Sequence, residues 1–521
     1  MFFPKTCTKA LQSLTLDCNH LGLQGVLMRC ISHLQPENST VELHSCASDL
    51  KSAVLPYEGI PRTSKYSWQN FYTSWKTFGF QNLHHAMVQM FDQYGPIYRE
   101  KIGKQEVVNI MLPEDIATVY AADGLYPRRP LLEPWSLHRE YRNQACGIFL
   151  KNGEQWRKDR LILNKDIISP EAIKRCIPLQ NSLAADITNH LQQQIQRKLQ
   201  RSLTIDVASL LHRYTLESIC NILYGERLGL LDDNPSEELL KFLSSMEVML
   251  KTTVPLLYLP VNIAKALNAR IWKDHVAAWD YIHDHAESYI EKIYHSSLSG
   301  QQADTSYKGI LAELLFKADL PKDHIKANII ELMAGGSETS ALPILFTLFE
   351  LARNPKIQAE IRDEITVACR KAHGDTALIL SSVPLLRGAI KESLRLYPIG
   401  IVQQRFTNKD IVLQNYHIPA STLVQIGLYP MGRSAKVFPN PKIYDPKRWL
   451  KRDNSFKSMA FGFGPRQCIG RRIAELEMLL FFIHILQNFK IDAPSKEDIK
   501  TVYKFVLVPE KNPLLTFKPI Y

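Results

Sequence analysis

No two of the nine cysteines in these 521 residues stand in a Cys-x-x-Cys pair, and their irregular spacings form no even framework. That argues against a disulfide scaffold and for a reduced compartment. There is no basic tail and no aromatic-basic repeat. Lys and Arg give a net charge of +11 and a pI near 9.0, but they are scattered among acids. Nucleic-acid binding is therefore a poor reading, and an anionic protein partner or lipid surface fits better. The N-terminus has no run of 18 or more apolar residues and no compact secretory h-region. Residues 1–36 instead carry Lys5, Lys9 and Arg29 against one acid, Asp17, among several Ser, Thr and Leu. That is the character of a mitochondrial transit peptide, with the functional domain expected over residues 37–521. Internal repeats and low-complexity segments are absent. Length alone suggests about three domains.

What is present is concentrated around Cys468, in Phe461-Gly-Phe-Gly464-Pro-Arg466-Gln-Cys468-Ile-Gly470. This glycine-rich loop opens into a long apolar-periodic helix. Its glycines allow a flat ligand to approach the backbone closely, and Arg466 can pair with an anionic group on that ligand. A sulfur at a helix N-terminus is expected to lean toward thiolate, because free N–H groups stabilise negative charge there. Thiolate, close backbone approach and a positive clamp are what a haem iron with one cysteine ligand requires. An isolated cysteine is ordinarily a buried core residue. The spacing Phe-x-x-Gly-x-Arg-x-Cys-x-Gly sets this one apart.

The longest helical stretch runs from about Asp323 to Arg353, roughly 45 Å at 1.5 Å per residue. In its middle lie Ala334-Gly335-Gly336-Ser337-Glu338-Thr339-Ser340, with Pro343 just beyond. Two adjacent glycines cost about 1 kcal/mol each inside a helix. The alternatives are a simple kink or a place where something approaches the backbone. Thr339 back-bonding to the previous turn would leave a groove for O₂ and water, and Glu338 can relay protons. Elsewhere, short alternation predicts strands over 98–108, 106–112, 411–413 and 423–426. Most segments after Pro170 read as helices, with stops at Gly225, Pro235, Pro260 and Pro321.

Glu392 and Arg395 lie on one helix face among apolar neighbours, and Arg448 can close a charge network with them. Trp156 and Arg160, four apart, offer an indole N–H and a guanidinium to carboxylate oxygens, although such pairs are mostly surface packing. These pieces span more than 300 residues. If they address one cofactor, the intervening chain folds as one domain around it.

The loop at Cys468 resembles the haem-binding loop of the cytochrome P-450 superfamily. The run Gly335 to Thr339 resembles that superfamily's oxygen-activation pattern, and Glu392, Arg395 and Arg448 resemble its structural Glu-x-x-Arg plus Arg triad. The resemblance implies a mainly α single-domain fold with small β-sheets. It implies haem b bound through Cys468, with Trp156, Arg160, Arg405, Phe461, Arg466 and Gly470 around it, and Glu338 and Thr339 as catalytic residues. Leu132-Glu-Pro-Trp135, Cys146-Gly-Ile-Phe149, Gly225-Glu-Arg-Leu-Gly-Leu230, Val412 to Pro419 and Arg466 to Arg472 are similar to the mitochondrial steroid 11β-hydroxylase and aldosterone synthase family. That likeness covers roughly Pro56 to Tyr521. It implies O₂-dependent hydroxylation of 11-deoxycorticosterone and 11-deoxycortisol, with oxidation at carbon 18 in some members. Electrons would come from NADPH through ferredoxin reductase and ferredoxin (adrenodoxin), at the matrix side of the inner membrane.

The same likeness places Trp135, Arg139, Phe149, Glu331, Ala334, Gly335 and Phe505 around the steroid. A rigid apolar ligand needs aromatic walls with few polar handles, while the plain alternative for such residues is core packing. Val402 stands where relatives usually carry Phe, which puts pocket shape in question. Arg387, Lys391, Arg471 and Arg472 resemble a ferredoxin-docking patch, against solvated surface charge as the ordinary reading. Val254 to Pro260 is too short to cross a bilayer but can dip into its surface, with a buried loop as the rival. Two other functions stay open: another mitochondrial sterol monooxygenase, such as cholesterol side-chain cleavage, and a haem-thiolate protein that binds a ligand without turnover. The Glu338-Thr339 pair speaks against the second, because a binder needs no proton relay.

Overall fold

The helices that place the site are α1 (Glu133–Tyr141), α2 (Gly153–Ile167), α3 (Pro170–Arg197), α4 (Ala208–Tyr224), α5 (Glu237–Tyr258), α6 (Arg270–Leu298), α7 (Lys322–Gly336), α8 (Glu338–Arg353), α9 (Pro384–Leu396) and α10 (Arg471–Asn488). The computed structural model describes residues 54–63, 79–102, 105–258, 261–298, 307, 309–317, 319–451 and 456–520. The transit-peptide expectation for 1–36 and the stop at Pro260 lie outside them.

Local chemistry sets the helix ends. Ser169 accepts a hydrogen bond from the amide of Ala172, and Pro170 occupies the first turn of α3, where its missing N–H is harmless. Gly225 ends α4 in the left-handed region at φ 76°. Pro178 and Pro255 do not break α3 and α5. Here burial of the surrounding apolar face outweighs the lost backbone bond.

The long helix expected from Asp323 to Arg353 spans Lys322 to Arg353, divided at Ser337 into α7 and α8. It is long and apolar enough to cross a membrane, yet 72% of its most apolar window is buried inside the protein. It is the core helix. Every residue of α8 from Ser340 to Ala352 is buried. α10 is likewise apolar around most of its circumference, as a helix enclosed by others must be.

The main sheet joins β1 (Ile97–Ile102), β2 (Gln105–Ile110), β3 (Val402–Phe406) and β4 (Leu423–Gly427) in the order β1-β2-β4-β3. β2 and β4 are parallel, with Val107 opposite Leu423, and the other pairs are antiparallel. A row of side-chain hydrogen bonds crosses it: Gln404 donates to Gln425, Gln425 to Asn109, and Asn109 to Glu100, each at 2.8 Å. A one-residue slip would leave these buried amides unpaired, so the row fixes the register. Segments 411–413 and 416–418 form a hairpin. Leu203–Asp206, Leu514–Pro519 and Phe489–Asp492 form a three-stranded sheet. β5 (Thr501–Lys504) and β6 (Val506–Pro509) pair around Phe505, which sits at φ 71°. These C-terminal strands are too short for alternation to reveal them.

One large apolar cluster unites the helices with the C-terminal strands, and a second surrounds β1, β2 and β4. The Cys468 loop bridges them: Phe461 and Ile469 pack on the first cluster, Met459 and Phe463 on the second.

Within the core, Glu477 of α10 is buried, with the hydroxyls of Ser218 and Ser340 only partly offsetting the cost of its charge. Burial pushes its carboxyl from an ordinary 4.5 up to about 8. The native chain therefore keeps a proton that the unfolded chain releases between those values. Stability should fall as pH rises through that window, by at most about 1.4 kcal/mol per unit. Glu477→Gln should flatten this dependence in denaturation measured at pH 5 to 8.

Candidate active site

Cys468 lies two residues before Gly470, the N-cap of α10. Its amide donates to the carbonyl of Phe461 at 2.8 Å, closing the loop. Gly462 and Gly464 take φ of 69° and 76°, which favours glycine at both. The expected lean toward thiolate is not what the protein alone produces. Burial raises the thiol pKa; the Gly470 amide, then Arg160, Arg129 and Arg471, only offset it. Deprotonation of this sulfur is left to a coordinated metal. The thiol surface is nonetheless accessible.

Four guanidinium groups converge around this loop. Arg160 donates to the carbonyl of Gln467 at 2.9 Å and to Asn164 at 2.8 Å. Arg405 pairs with Asp123 at 3.0 Å. Arg129 donates to the carbonyl of Arg466 at 2.8 Å. Arg466 itself donates to the carbonyls of Pro127 and Lys151 and to the Asn152 side chain, and lies 4.9 Å over the Trp156 ring. Arg466 thus first ties the loop to residues 127–152, a task its sequence position does not reveal. Burial pushes Arg160 down to about 10 and, with Arg405 and Arg160 adding repulsion, Arg466 to about 9. Burial and the charges of Arg405 and Arg466 pull Arg129 well below its usual range. The carboxylate among these groups is Asp123, whose own pKa burial raises. Arg405 Nη2 and Arg129 Nε are buried without a partner among the described residues. Such a cluster calls for a dianionic ligand, and the two propionates of a haem beside an accessible thiol fit it. Arg129 and Asp123 carry no spacing signal that would find them in the sequence.

Behind the loop, Glu392 is fully buried and accepts five donors. Arg395 binds it at both oxygens at 2.8 Å, Arg448 at 3.1 Å, Trp449 through its indole at 2.8 Å, and the amide of Asp445 at 3.0 Å. The expected Glu-Arg-Arg network is therefore assembled, with Trp449 as an unforeseen member. Arg395 also donates to the carbonyls of Pro441, Ile443 and Gly432.

At the break between α7 and α8, the Thr339 hydroxyl donates to the carbonyl of Gly335 at 2.6 Å. Pro343 withdraws the donor that would have bonded the Thr339 carbonyl. Gly335 and Thr339 are exposed in the middle of a helix whose other exposed residues, Lys322 and Asp323, lie at its start, and a Cβ on Gly335 would meet nothing within 4 Å. They mark an opening in the interior. Burial raises the Glu338 pKa, His212 lowers it, Glu247 raises it and Lys504 lowers it. His212 Nδ1 stands 3.6 Å from its carboxylate.

Three separate segments converge on Trp135. Its ring centroid is 5.5 Å from that of Phe149 and 5.6 Å from that of Phe505, and its indole donates to Thr253 at 2.8 Å. Phe149 keeps 43% of its surface accessible. Arg139 stacks 4.0 Å over Trp279, with Nε and Nη2 buried and unpartnered among the described residues. Burial lowers it to about 10. Ala334 is buried. Glu331 is engaged with the backbone: its oxygens accept the amides of Gly147 at 2.8 Å and Phe149 at 2.7 Å. A Cβ on Gly147 would lie 2.6 Å from that carboxylate. Asn328 accepts the amide of Ile148 at 2.7 Å. α7 therefore holds the loop that presents Phe149. Val402 is half-buried at the head of β3, against the main core.

Of the four expected docking cations, Arg387, Lys391 and Arg471 act on one another around Glu475. Arg472 instead donates to the carbonyl of Ile168, at the end of α2. Val254 and Leu256 are buried at the end of α5, while Leu257, Ile263 and Leu267 nearby are exposed.

A helical body whose interior thiol sits among guanidinium groups is built for a haem-thiolate centre. The chain belongs to the cytochrome P450 family, whose model matches residues 63–517. It is 51% identical over 520 residues to the mitochondrial cytochrome P450 11B of Aquarana catesbeiana, covering 99% of each chain. It is 45% identical to the mitochondrial cytochrome P450 11B1 of Ovis aries, over 91% of this chain and 94% of that one. The mitochondrial cholesterol side-chain cleavage enzyme of Oncorhynchus mykiss is also 45% identical, over 91% and 92%.

Glu331→Leu should strand the amides of Gly147 and Phe149, at about 1–3 kcal/mol each. Thermal unfolding should show the loss, and the affinity for an apolar polycyclic ligand should fall with it.

Proposed function

We propose that this protein is a mitochondrial steroid 11β-monooxygenase, converting 11-deoxycorticosterone to corticosterone and 11-deoxycortisol to cortisol. The carrying observation is the 51% identity to a cytochrome P450 11B over 99% of both chains, joined to the guanidinium cluster at Cys468. Haem, when bound, supplies reductive activation of O₂ and insertion of one oxygen atom into a C–H bond. Cys468 would hold its iron. Arg129, Arg160, Arg405, Arg466 and the Trp156 indole receive its propionates, Phe461 and Gly470 shape the loop, and Glu392, Arg395 and Arg448 hold that loop from behind.

Trp135, Phe149 and Phe505 grip the rigid steroid between aromatic faces. The unpartnered N–H groups of Arg139 recognise an oxygen at one end of it. Gly335 leaves room over the reacting carbon. Thr339 holds the groove open and passes protons inward, while Glu338 stores them at a carboxyl whose pKa burial raises. NADPH electrons arrive through ferredoxin reductase and an acidic ferredoxin steered to Arg387, Lys391 and Arg471. The apolar side chains of Leu257, Ile263 and Leu267 rest on the matrix face of the inner membrane, after import directed by residues 1–36.

The rival substrate is cholesterol, favoured by the side-chain cleavage relative. Purified protein with ferredoxin, its reductase and NADPH should yield corticosterone from 11-deoxycorticosterone and no pregnenolone from cholesterol. The reverse would reject the assignment, and the same chromatograms report oxidation at carbon 18. Cys468→Ser should abolish the thiolate-ligated haem absorption. Thr339→Ala should keep NADPH consumption while product falls. Lys391→Glu should weaken ferredoxin binding about tenfold without changing steroid affinity.

A further inference from the structure

We propose that His212 is the solvent-side proton donor that recharges Glu338 during turnover. The inference rests on the reading of Glu338 and Thr339 as the oxygen-side relay, and adds its outer end.

His212 is carried by α4, far from α8 in sequence, yet its Nδ1 is 3.6 Å from Glu338 Oε2. The two side chains form a graded passage, 25% accessible at His212 and 16% at Glu338. Thr339 follows in sequence and opens onto the interior. The other charged groups acting on Glu338 are Glu247 of α5 and Lys504 of β5. Insertion of one atom of O₂ consumes two electrons and two protons and releases one water. The electrons come from the ferredoxin, so the protons must cross the protein. Protonated His212 gives its proton to the Glu338 carboxylate, Glu338 releases one inward, and water reprotonates the imidazole. Imidazole suits this place because its ring nitrogens can both bind and release a proton.

The test uses the haem-loaded full chain with ferredoxin, its reductase, NADPH and 11-deoxycorticosterone. In the parent protein, product formed per NADPH should fall as pH rises. His212→Gln, with His212→Asn as a second variant, should lower that ratio at least about threefold at pH 7 and remove its pH dependence. It should leave haem absorption and steroid affinity unchanged. Combining His212→Gln with Glu338→Gln should be no worse than Glu338→Gln alone, as for two members of one path. Independently of turnover, NMR of histidine-labelled protein should identify the resonance missing in His212→Gln. Its titration should shift to lower pH in Glu338→Gln, because the stabilising carboxylate charge is gone. Wild-type coupling and pH profile in His212→Gln, beside an uncoupled Glu338→Gln, would overturn the role of His212 and leave the relay standing. An unaffected Glu338→Gln would reject the relay itself.

Discussion

Four guanidinium groups buried around one thiol, with a single aspartate among them, are the constraint on which the rest of this structure depends. Like charges in a low-dielectric interior repel strongly, and burying unpaired cations costs several kcal/mol. The arrangement is tolerable only when a dianion completes it. Cofactor binding and folding are therefore coupled, and the bound form is stabilised by mass action. The Glu392 hub is the second tier of the same design. Two of its five hydrogen bonds join Arg395 on the same helix, and the other three hold Asp445, Arg448 and Trp449.

The long central helix shows how a locally unfavourable sequence becomes useful. Gly335, Gly336, the bend at Ser337 and Pro343 each weaken helical bonding, yet the surrounding core keeps both halves in line. The weakening spans little more than two turns, and within them the Thr339 hydroxyl takes over a carbonyl.

Much of this was legible in the chain because the informative residues are close together. The Cys468 loop is a continuous decapeptide, Glu392 and Arg395 share one helical face, and the Gly-Gly pair announces itself inside an apolar helix. What the sequence hid depends on distant segments meeting. Arg129 and Asp123 are ordinary surface-type residues until the fold brings them beside Arg405 and Arg466. The charge of Glu331 and Arg466 was visible, but not the backbone amides and carbonyls that claim them. The thiol was expected to lean toward thiolate from its place before a helix; burial outweighs that dipole. Arg472, adjacent to Arg471 in the chain, turns to another element, since neighbours along a helix do not face the same way.

The aromatic walls around Trp135 have different origins: a short helix, a loop pinned to α7 by Glu331 and Asn328, and the turn between β5 and β6. The loop runs on from Phe149 to Lys151 and Asn152, which Arg466 holds, so one wall is tied to the charge cluster at Cys468. A substitution in that loop is therefore felt in two places at once, at the aromatic ring it carries and at the guanidinium it anchors.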